Sequence, residues 1–377
     1  MLLKTLQKRP VLSGLILLLI VLWWGVPLWM YGVFGDGIFY ASIARNLIYD
    51  PLPTIWDLKV SNALDPAFNG HPPLAFWLQS LFFVVLGDVY WVERFYSLCM
   101  AGWTLWGIRG CWRLLHPVDS HWALLAWLLI PVVAWSYANN LLENTLAVWT
   151  TAAVWWMLYS HLKAIALPWT LLGSAVLVFG ATMVKGPVGL FPLATWGLYA
   201  LVFERPLAWG RVLGRSSALV GLVVGLYALL FWASPKALYF YERYWRMQLE
   251  HSLSGQDVGL WAHFAVVGML LEQSLSLLGL GLGLWLLGRW QGLSPKWSAD
   301  QNRRALFWLL MGGAASLPIA LSPKQMWFYL VPSTVFYALA AGAWLVPLGA
   351  AWRKYLIPYT RLQSLAQGVL VVGDFAG

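Results

Sequence analysis

The first carboxylate of the chain, Asp36, directly follows a long apolar segment. Tyr40 and Arg45 come after it at roughly helical spacing. An acid just beyond a hydrophobic span lies at the boundary between membrane and water, where its charge is tolerated and it can still exchange protons. The stretch from Phe34 to Arg45 is therefore the first candidate for chemistry in this chain.

Other polar residues also stand at the ends of apolar runs. His71 precedes two prolines, which stiffen the chain and hold the imidazole at the start of an apolar run. Lys185 precedes glycine and proline between two apolar runs, where a lone lysine can reach a phosphate. Glu143 and Arg94 stand at similar boundaries, although an arginine there can simply extend its charge into the interface. These residues would form a site only if the elements between them bring them to one face.

The composition indicates which elements those are. Of the 377 residues, 60% are apolar and 10% are charged. A soluble domain is about half apolar and a quarter charged, so the composition predicts an integral membrane protein. About ten apolar runs are long enough to cross a bilayer. They cover residues 11–31, 91–110, 121–137, 144–160, 168–184, 187–203, 212–232, 263–288, 305–321 and 327–348.

The basic residues predict how these spans are oriented. The apolar run at 72–87 is short and opens with prolines, so we place it along the interface and not across the membrane. Most of the 24 Lys and Arg residues then collect on one side, which the positive-inside rule assigns to the cytoplasm. Both termini are expected there. The outer face receives a first loop at about 32–90, a second at about 233–262, and the turns near Glu143, Lys185 and Lys324.

We expect one transmembrane domain over residues 1–350, followed by a short cytoplasmic tail at 351–377. The net charge of +9 reflects the topology and does not indicate nucleic-acid binding. The sequence contains no GxxxxGK[ST], HExxH or paired CxxC motif, and no GxGxxG between a strand and a helix. The absence of these nucleotide and metal motifs argues against a nucleotide-driven pump.

Taken in order, several landmarks resemble a known family. Asp36-x-x-x-Tyr40-Ala-x-Ile-x-Arg45, His71-Pro-Pro-Leu-x-x-Trp77, Gly87 and Arg94 are similar to the first-loop signature of GT-C glycosyltransferases. The branch with protein mannosyltransferases and lipid A aminoarabinose transferases is the most similar. Each match is weak alone, but the ordered series extends from residue 11 to about 345. It continues through Glu143, Met183-Val-Lys185-Gly, Glu250-His251, Ser322-Pro-Lys324 and Tyr329-Leu330.

The resemblance implies an all-α, GT-C-like bundle of about ten transmembrane helices, with interfacial helices in the first outer loop. It also implies an enzyme of the bacterial inner membrane with its active site on the periplasmic face. Such an enzyme would move a hexosyl or pentosyl group, with inversion, from a polyprenyl-phosphate donor to lipid A, another envelope glycan or a protein.

The resemblance also implies roles for individual residues. Asp36 would be the general base. Lys185, and after it His71, Arg94 and Lys324, would bind the donor phosphate. The remaining candidates would contact substrate, and the last two of them would belong to a lid: Glu143, Tyr40, Arg45, Glu250 and His251. Gly37 and Asn46 stand where relatives often carry Glu, so no cofactor and no metal held by paired carboxylates is expected. A divalent cation stays an alternative.

Two other classes of protein also fit a polytopic membrane chain. A flippase or transporter for a lipid-linked sugar would use the same charges as a pathway. Carriers usually place polar residues near the midplane and often contain paired repeats, whereas these charges are predicted at one face and no repeat is visible. A structural partner in envelope assembly would lack a single indispensable acid.

Overall fold

The computed structural model describes residues 10–49, 55–61, 68–117, 120–250, 264–322 and 324–373. Within these ranges every regular element is a helix. The first half contains α1 Pro10–Ile20, α2 Gly35–Tyr49, α3 Leu74–Leu86, α4 Val92–Leu115, α5 His121–Leu128, α6 Pro131–Ala138, α7 Leu142–Leu162 and α8 Leu167–Lys185. The second half contains α9 Thr195–Phe203, α10 Trp209–Ala233, α11 Pro235–Tyr244, α12 Ala265–Trp290, α13 Ala299–Ser316 and α14 Val331–Gly373.

Short 3-10 and π-helical segments extend several of these helices. They are Val21–Gly25 and Val26–Trp29 after α1, Gly186–Ala194 before α9, Trp245–Glu250 after α11, Leu317–Leu321 after α13 and Trp327–Leu330 before α14.

The length and apolarity of the helices confirm a polytopic membrane protein. Within the described ranges, six helical segments are long and apolar enough to cross a bilayer, and a bent pair makes a possible seventh. All ten predicted spans fall on helices. Two of them, α4 and α7, contain 24 and 21 residues and are thus long enough to cross, although they are more polar. The number ten itself stays a prediction.

The predicted outer loops contain short helices. With 13 residues, α3 is about 20 Å long, which is too short for a span. It packs against α2. Helix α11 occupies the start of the second predicted loop. At the other end of the chain, the predicted tail beyond 350 continues α14 as far as Gly373.

The chain reverses direction at Gly186, between two predicted spans. Gly186 has a φ of +61°, which glycine adopts without strain. A Cβ added to Gly189 would lie 2.5 Å from the carbonyl carbon of Ala181. Residues eight apart in one continuous helix would be about 12 Å apart. The segment after Lys185 therefore folds back onto α8, so Lys185 stands at the tip of a helical hairpin.

The span predicted at 121–137 is broken. Helices α5 and α6 meet at an angle of 70°, with Pro131 at the start of α6. The polar main-chain groups at the break are bonded by side chains from other helices. Gln273 accepts from the amide of Val132 at 2.7 Å, while Trp23 and Ser276 donate to the two carbonyls before the break. A break at membrane depth requires such partners because lipid offers none.

Tryptophan facing glycine is a recurring contact between the central helices. Trp149 and Trp156 of α7 lie against Gly180 and Gly173 of α8, where an added Cβ would lie 2.3 and 2.4 Å from the rings. Gly349 of α14 receives Trp122 of α5 in the same way. Small residues let helices approach closely in a membrane, where dispersion contacts replace the hydrophobic effect. The high tryptophan content therefore belongs to the interior as well as to the surface.

We expect Gly180→Ala to destabilise the bundle, because the added methyl group meets the Trp149 ring. Overpacking of this kind costs about 1–3 kcal/mol, which would appear as a lower thermal midpoint of the purified protein. Gly221→Ala in α10 is the matched control, since an added Cβ there meets nothing within 4 Å. Equal midpoints for the two variants would contradict the packing described above.

Candidate functional site

Asp36 lies in the first turn of α2, where the partial positive charge of a helix N-terminus favours a carboxylate. Its side chain is half-buried. None of the ion pairs between described residues includes it. Asp36 therefore keeps its oxygens available for a ligand.

The backbone around Asp36 is held by the turn between α6 and α7. The amide of Phe34 donates to Oδ1 of Asn139 at 2.8 Å, and Nδ2 of Asn140 donates to the carbonyl of Gly37 at 3.2 Å. Asn140 is buried with a φ of +55°, a conformation that asparagine tolerates better than most residues. The turn thus fixes the main chain on both sides of Asp36.

Gly37 explains why this chain lacks the glutamate that relatives place after the aspartate. A Cβ at position 37 would lie 2.0 Å from the carbonyl oxygen of Asn139. No side chain fits there without moving one of the two backbones. Any second acid near Asp36 therefore comes from another element.

That acid is Glu143, in the first turn of α7. Its Oε1 accepts a hydrogen bond from Nζ of Lys185 at the tip of the α8 hairpin. Both side chains are buried, with Glu143 1% and Lys185 8% exposed. The ammonium of Lys185 also lies 3.9 Å from the centre of the Tyr329 ring, a favourable cation–π distance. Oε2 of Glu143 is buried and has no hydrogen-bond partner in the described part of the chain, so it is an open acceptor.

His71 and Tyr40 connect Asp36 with this ion pair. Their rings meet edge to face at 5.9 Å. Burial raises the pKa of Tyr40, and the charges of Glu143 and Asp36 raise it further. Tyr40 thus lies within electrostatic range of both acids and stays a hydroxyl donor at neutral pH. Since the hydroxyl keeps its proton, Tyr40 can donate a hydrogen bond to an oxygen bound between the acids.

His71 lies on the cationic side of the site. Desolvation lowers its pKa well below the ordinary value, and the charges of Lys185 and Lys324 lower it further. The ring is therefore neutral at pH 7 and offers one N–H donor instead of a positive charge. Lys324 itself is exposed. Of the cations predicted to bind phosphate, Lys185 and Lys324 thus supply the charge beside His71.

The neutral state of His71 predicts a pH-dependent stability. Below about pH 6.5 this histidine is protonated in the unfolded chain, whereas in the folded chain it stays neutral to a lower pH. The contribution of His71 to the free energy of unfolding is thus present above pH 6.5. It is lost on acidification, by up to about 1.4 kcal/mol per pH unit. We expect the thermal midpoint of His71→Gln to fall less than that of the wild type between pH 7 and pH 5. Parallel losses would contradict a neutral His71.

Two predicted arginines have other partners. Arg94 is buried and donates to the carbonyls of Met30, Gly32 and Ala138. It therefore connects the end of the first span with the end of α6, the two segments that position Asp36. Arg45 is 2.6 Å from Asp88 and 3.7 Å from Glu93, so it pairs with acids just before α4 and in its first turn, away from Asp36.

The other positions named from the sequence lie outside this group of residues or are only partly described. Asn46 donates to the carbonyl of Lys59 at 2.8 Å. Glu250 ends the π-helical segment after α11, but its side chain lies outside the described residues, as does His251 entirely.

The described residues contain no group of three His, Cys, Asp or Glu side chains that could hold a metal ion. That the reaction needs no cofactor stays a prediction.

A cavity of about 630 Å³ opens beside the α8 hairpin. Its walls are mainly apolar side chains of α10, α11 and the segment after Gly186. Two of the lining residues on α10, Val220 and Val224, are exposed on the surface of a membrane span. The cavity therefore connects the lipid-facing surface with the turn that carries Lys185.

Sequence reasoning gave no site role to Asn139, Asn140 or Tyr329, although Tyr329 was one of the landmarks of the resemblance. Asn139 and Asn140 form the turn that holds Asp36, and Tyr329 lies against Lys185. The run Asn139-Asn-Leu-Leu-Glu143 could have indicated this turn, because consecutive asparagines before a helix favour a turn. Gly37 carried another, since a glycine in place of a longer residue indicates a close backbone approach.

No family model and no curated protein sequence matches the chain. Two solved structures are similar. ArnT from Cupriavidus metallidurans bound to undecaprenyl phosphate is 18% identical, with a TM-score of 0.68 over 96% of this chain and 64% of that chain. The apo state of ArnT is 19% identical, with a TM-score of 0.63 over 93% and 63% of the two chains.

The chain spans less than two thirds of the length of these ArnT chains. The similarity nevertheless includes nearly all of the present chain. It confirms, at the level of fold, the resemblance that the ordered landmarks indicated. The chain is a polytopic membrane protein with the fold of ArnT, and its described residues form helices as their only regular elements.

Proposed function

We propose that the chain is a membrane glycosyltransferase that moves a sugar from a polyprenyl-phosphate donor to an acceptor in the cell envelope. The reaction takes place at the outer face of the bacterial inner membrane. The acceptor is lipid A, as in the lipid A aminoarabinose transferases that the sequence resembles, or another envelope glycan or a protein.

The observation that carries this proposal is that two acids and two lysines lie near one contact between Tyr40 and His71. An available carboxylate, Asp36, lies within electrostatic range of Tyr40, as does Glu143. Lys185 and Lys324 act on His71, which contacts Tyr40. The carboxylates thus act on the phenol, and the lysines act on the imidazole that contacts it. The fold shared with an undecaprenyl-phosphate-bound protein supports a lipid phosphate as the ligand between them.

In the reaction, the Asp36 carboxylate takes the proton of the acceptor hydroxyl while its oxygen attacks the anomeric carbon. The bond from that carbon to the phosphate oxygen breaks on the opposite face of the sugar, so the configuration inverts. Both electrons of the bond leave with the lipid phosphate. General-base assistance of this kind accelerates a reaction about 10²–10⁴-fold.

The other residues stabilise the departing charge and orient the sugar. Lys185 and Lys324 place positive charge near the phosphate, and His71 offers a neutral donor. Glu143 holds Lys185 through Oε1 and has Oε2 free for a sugar hydroxyl. The apolar cavity beside the hairpin accommodates part of the polyprenyl chain.

The proposal is tested with the purified full chain and a polyprenyl-phosphate-linked sugar. We expect release of lipid phosphate that depends on an added envelope acceptor, measured by separating the two lipids. Lipid movement across vesicle membranes without cleavage of the sugar–phosphate bond would favour the flippase instead.

Gly37→Ala tests whether backbone contact positions the base. The added methyl group meets the Asn139 carbonyl and would displace the first turn of α2 by about 1 Å. A displacement of that size can lower turnover about 10²-fold. Gly35→Ala is the control, since an added Cβ there meets nothing within 4 Å. Equal lipid-phosphate release by the two variants would contradict the positioning role of Gly37.

A further inference from the structure

A second group of charged side chains lies at the other end of the bundle from Lys185. Helix α8 has 19 residues and is therefore about 28 Å long. Lys185 is its last residue, whereas a short turn joins its start to His161 near the end of α7. The surroundings of His161 therefore belong to the face that is predicted to be cytoplasmic, opposite the proposed catalytic site.

His161 connects the ends of three helices at this face. Its Nε2 lies 3.2 Å from Oε1 of Glu204, just after α9, and its Nδ1 lies 3.2 Å from a guanidinium nitrogen of Arg215 on α10. A guanidinium can only donate, so Nδ1 accepts and Nε2 carries the proton that the carboxylate accepts. Burial lowers the pKa of His161, Glu204 opposes that change, and Arg215 and Arg211 lower the pKa further. The imidazole is therefore neutral at pH 7.

This arrangement holds Arg215 in place without neutralising its charge. Glu204 accepts its hydrogen bond from the imidazole, and none of the ion pairs between described residues includes Arg215. A guanidinium has five N–H donors, and the hydrogen bonds between described residues use only the one on His161. Arg215 is thus oriented by the protein and keeps donors for a ligand.

Three further cations surround this arginine. All three are exposed, and none belongs to an ion pair between described residues. They are Lys163 two residues after His161, Arg205 beside Glu204, and Arg211 one helical turn before Arg215. With Arg215 they form what we call the Arg215 cluster, in which four positive charges lie near a single acid. Such an excess of charge at one place favours an anionic ligand.

The surroundings of the Arg215 cluster indicate which anion fits. Helix α10 is a membrane span, and only Leu219 and Val223 of its 25 residues are buried. Trp209 and Leu213, in the turns that carry the cluster, are both exposed. Tryptophan and basic residues at the end of a span are typical of the boundary between membrane and water. A ligand here thus has an anionic group at the boundary and apolar chains along α10.

We propose that the Arg215 cluster binds the headgroup of an anionic phospholipid whose acyl chains lie along the exposed side of α10. The planar guanidinium of Arg215 matches two oxygens of one phosphate, and the other three cations add attraction to the negative charge. This inference goes beyond the proposed function, because it requires neither the sugar donor nor Asp36. The bound lipid would connect α10 with the ends of α7 and α9.

The test measures lipid binding to the purified full-length protein in a neutral detergent. Phosphatidylglycerol and phosphatidylcholine with the same acyl chains are titrated separately, and bound lipid is counted by native mass spectrometry. Each basic residue near an anionic lipid changes affinity about fivefold. We expect Arg211→Gln with Arg215→Gln to bind phosphatidylglycerol about 25-fold more weakly and phosphatidylcholine like the wild type. Glutamine can still donate to Nδ1 of His161, so the junction of the three helices is kept.

Glu204→Gln carries the opposite expectation. It removes the acid beside the cluster, so phosphatidylglycerol should bind about fivefold more tightly. The matched control is Arg289→Gln with Lys296→Gln, since both residues are exposed and are predicted at the same face, at the end of α12 and just after it. This control should bind phosphatidylglycerol like the wild type.

Unchanged affinity of the Arg211 and Arg215 double variant for phosphatidylglycerol would overturn the proposal. Equal losses for the two lipids would also overturn it, because they would indicate a change of shape and not a lost charge contact. An equal loss in the control variant would show that any basic residue at this face suffices. Weaker binding by Glu204→Gln would contradict the electrostatic argument. Inorganic phosphate bound at the cluster as tightly as phosphatidylglycerol would overturn the assignment to a lipid.

Discussion

Asp36→Asn is expected to lower lipid-phosphate release by about 10²–10⁴-fold while leaving the protein folded. An amide has nearly the shape of the carboxylate but cannot take the acceptor proton. Because no ion pair between described residues depends on Asp36, the substitution removes little stabilising energy. Release is measured with saturating donor and acceptor, so that the loss reflects the turnover rate and not the affinity for either substrate.

The structure offers a control on the same predicted loop. Asp57 is exposed and lies 3.5 Å from Lys59, a surface pair worth about 0–1 kcal/mol. Asp57→Asn should therefore release lipid phosphate like the wild type. Donor binding should survive in Asp36→Asn, since the base acts on the acceptor. Near-normal turnover by Asp36→Asn would exclude Asp36 as the base.

The sequence was informative about the elements because a bilayer restricts their length and composition. Every predicted span falls on a helix, and the apolar run at 72–87 corresponds to a helix too short to cross. Hydrophobic length and charge bias are properties that can be counted along a chain. The prediction that Glu143, Lys185, His71 and Lys324 would converge followed from the same counting.

The contacts of single residues could not be predicted in this way. Nothing in the spacing of Arg94 indicated that three carbonyls would use its donors, or that Arg45 would pair with Asp88. Such outcomes depend on side-chain directions and on the 70° break between α5 and α6. The break turns α6 so that its C-terminal end delivers Asn139 and Asn140 to α2. The apolar pattern of the sequence continues across such a break, so it predicts a single straight span.

Removing one partner of the Glu143–Lys185 pair is expected to have the second large effect. Lys185→Met leaves a carboxylate that is 1% exposed without its cation. Loss of one member of a buried pair costs about 3–5 kcal/mol. The thermal midpoint should fall accordingly, and lipid-phosphate release should be lost. Arg304→Met is the control, because its pair with Asp300 lies on the surface of α13 and should cost about 1 kcal/mol or less.

The double variant Glu143→Gln with Lys185→Met separates stability from catalysis. It removes both charges from the interior, and replacement of a buried pair by neutral groups is often neutral or stabilising. Its midpoint should therefore return toward that of the wild type. Release should stay lost, because the leaving phosphate still lacks the lysine charge. If release returned together with stability, Lys185 would be a structural residue, and the charge on the departing phosphate would have to be met by Lys324 and His71.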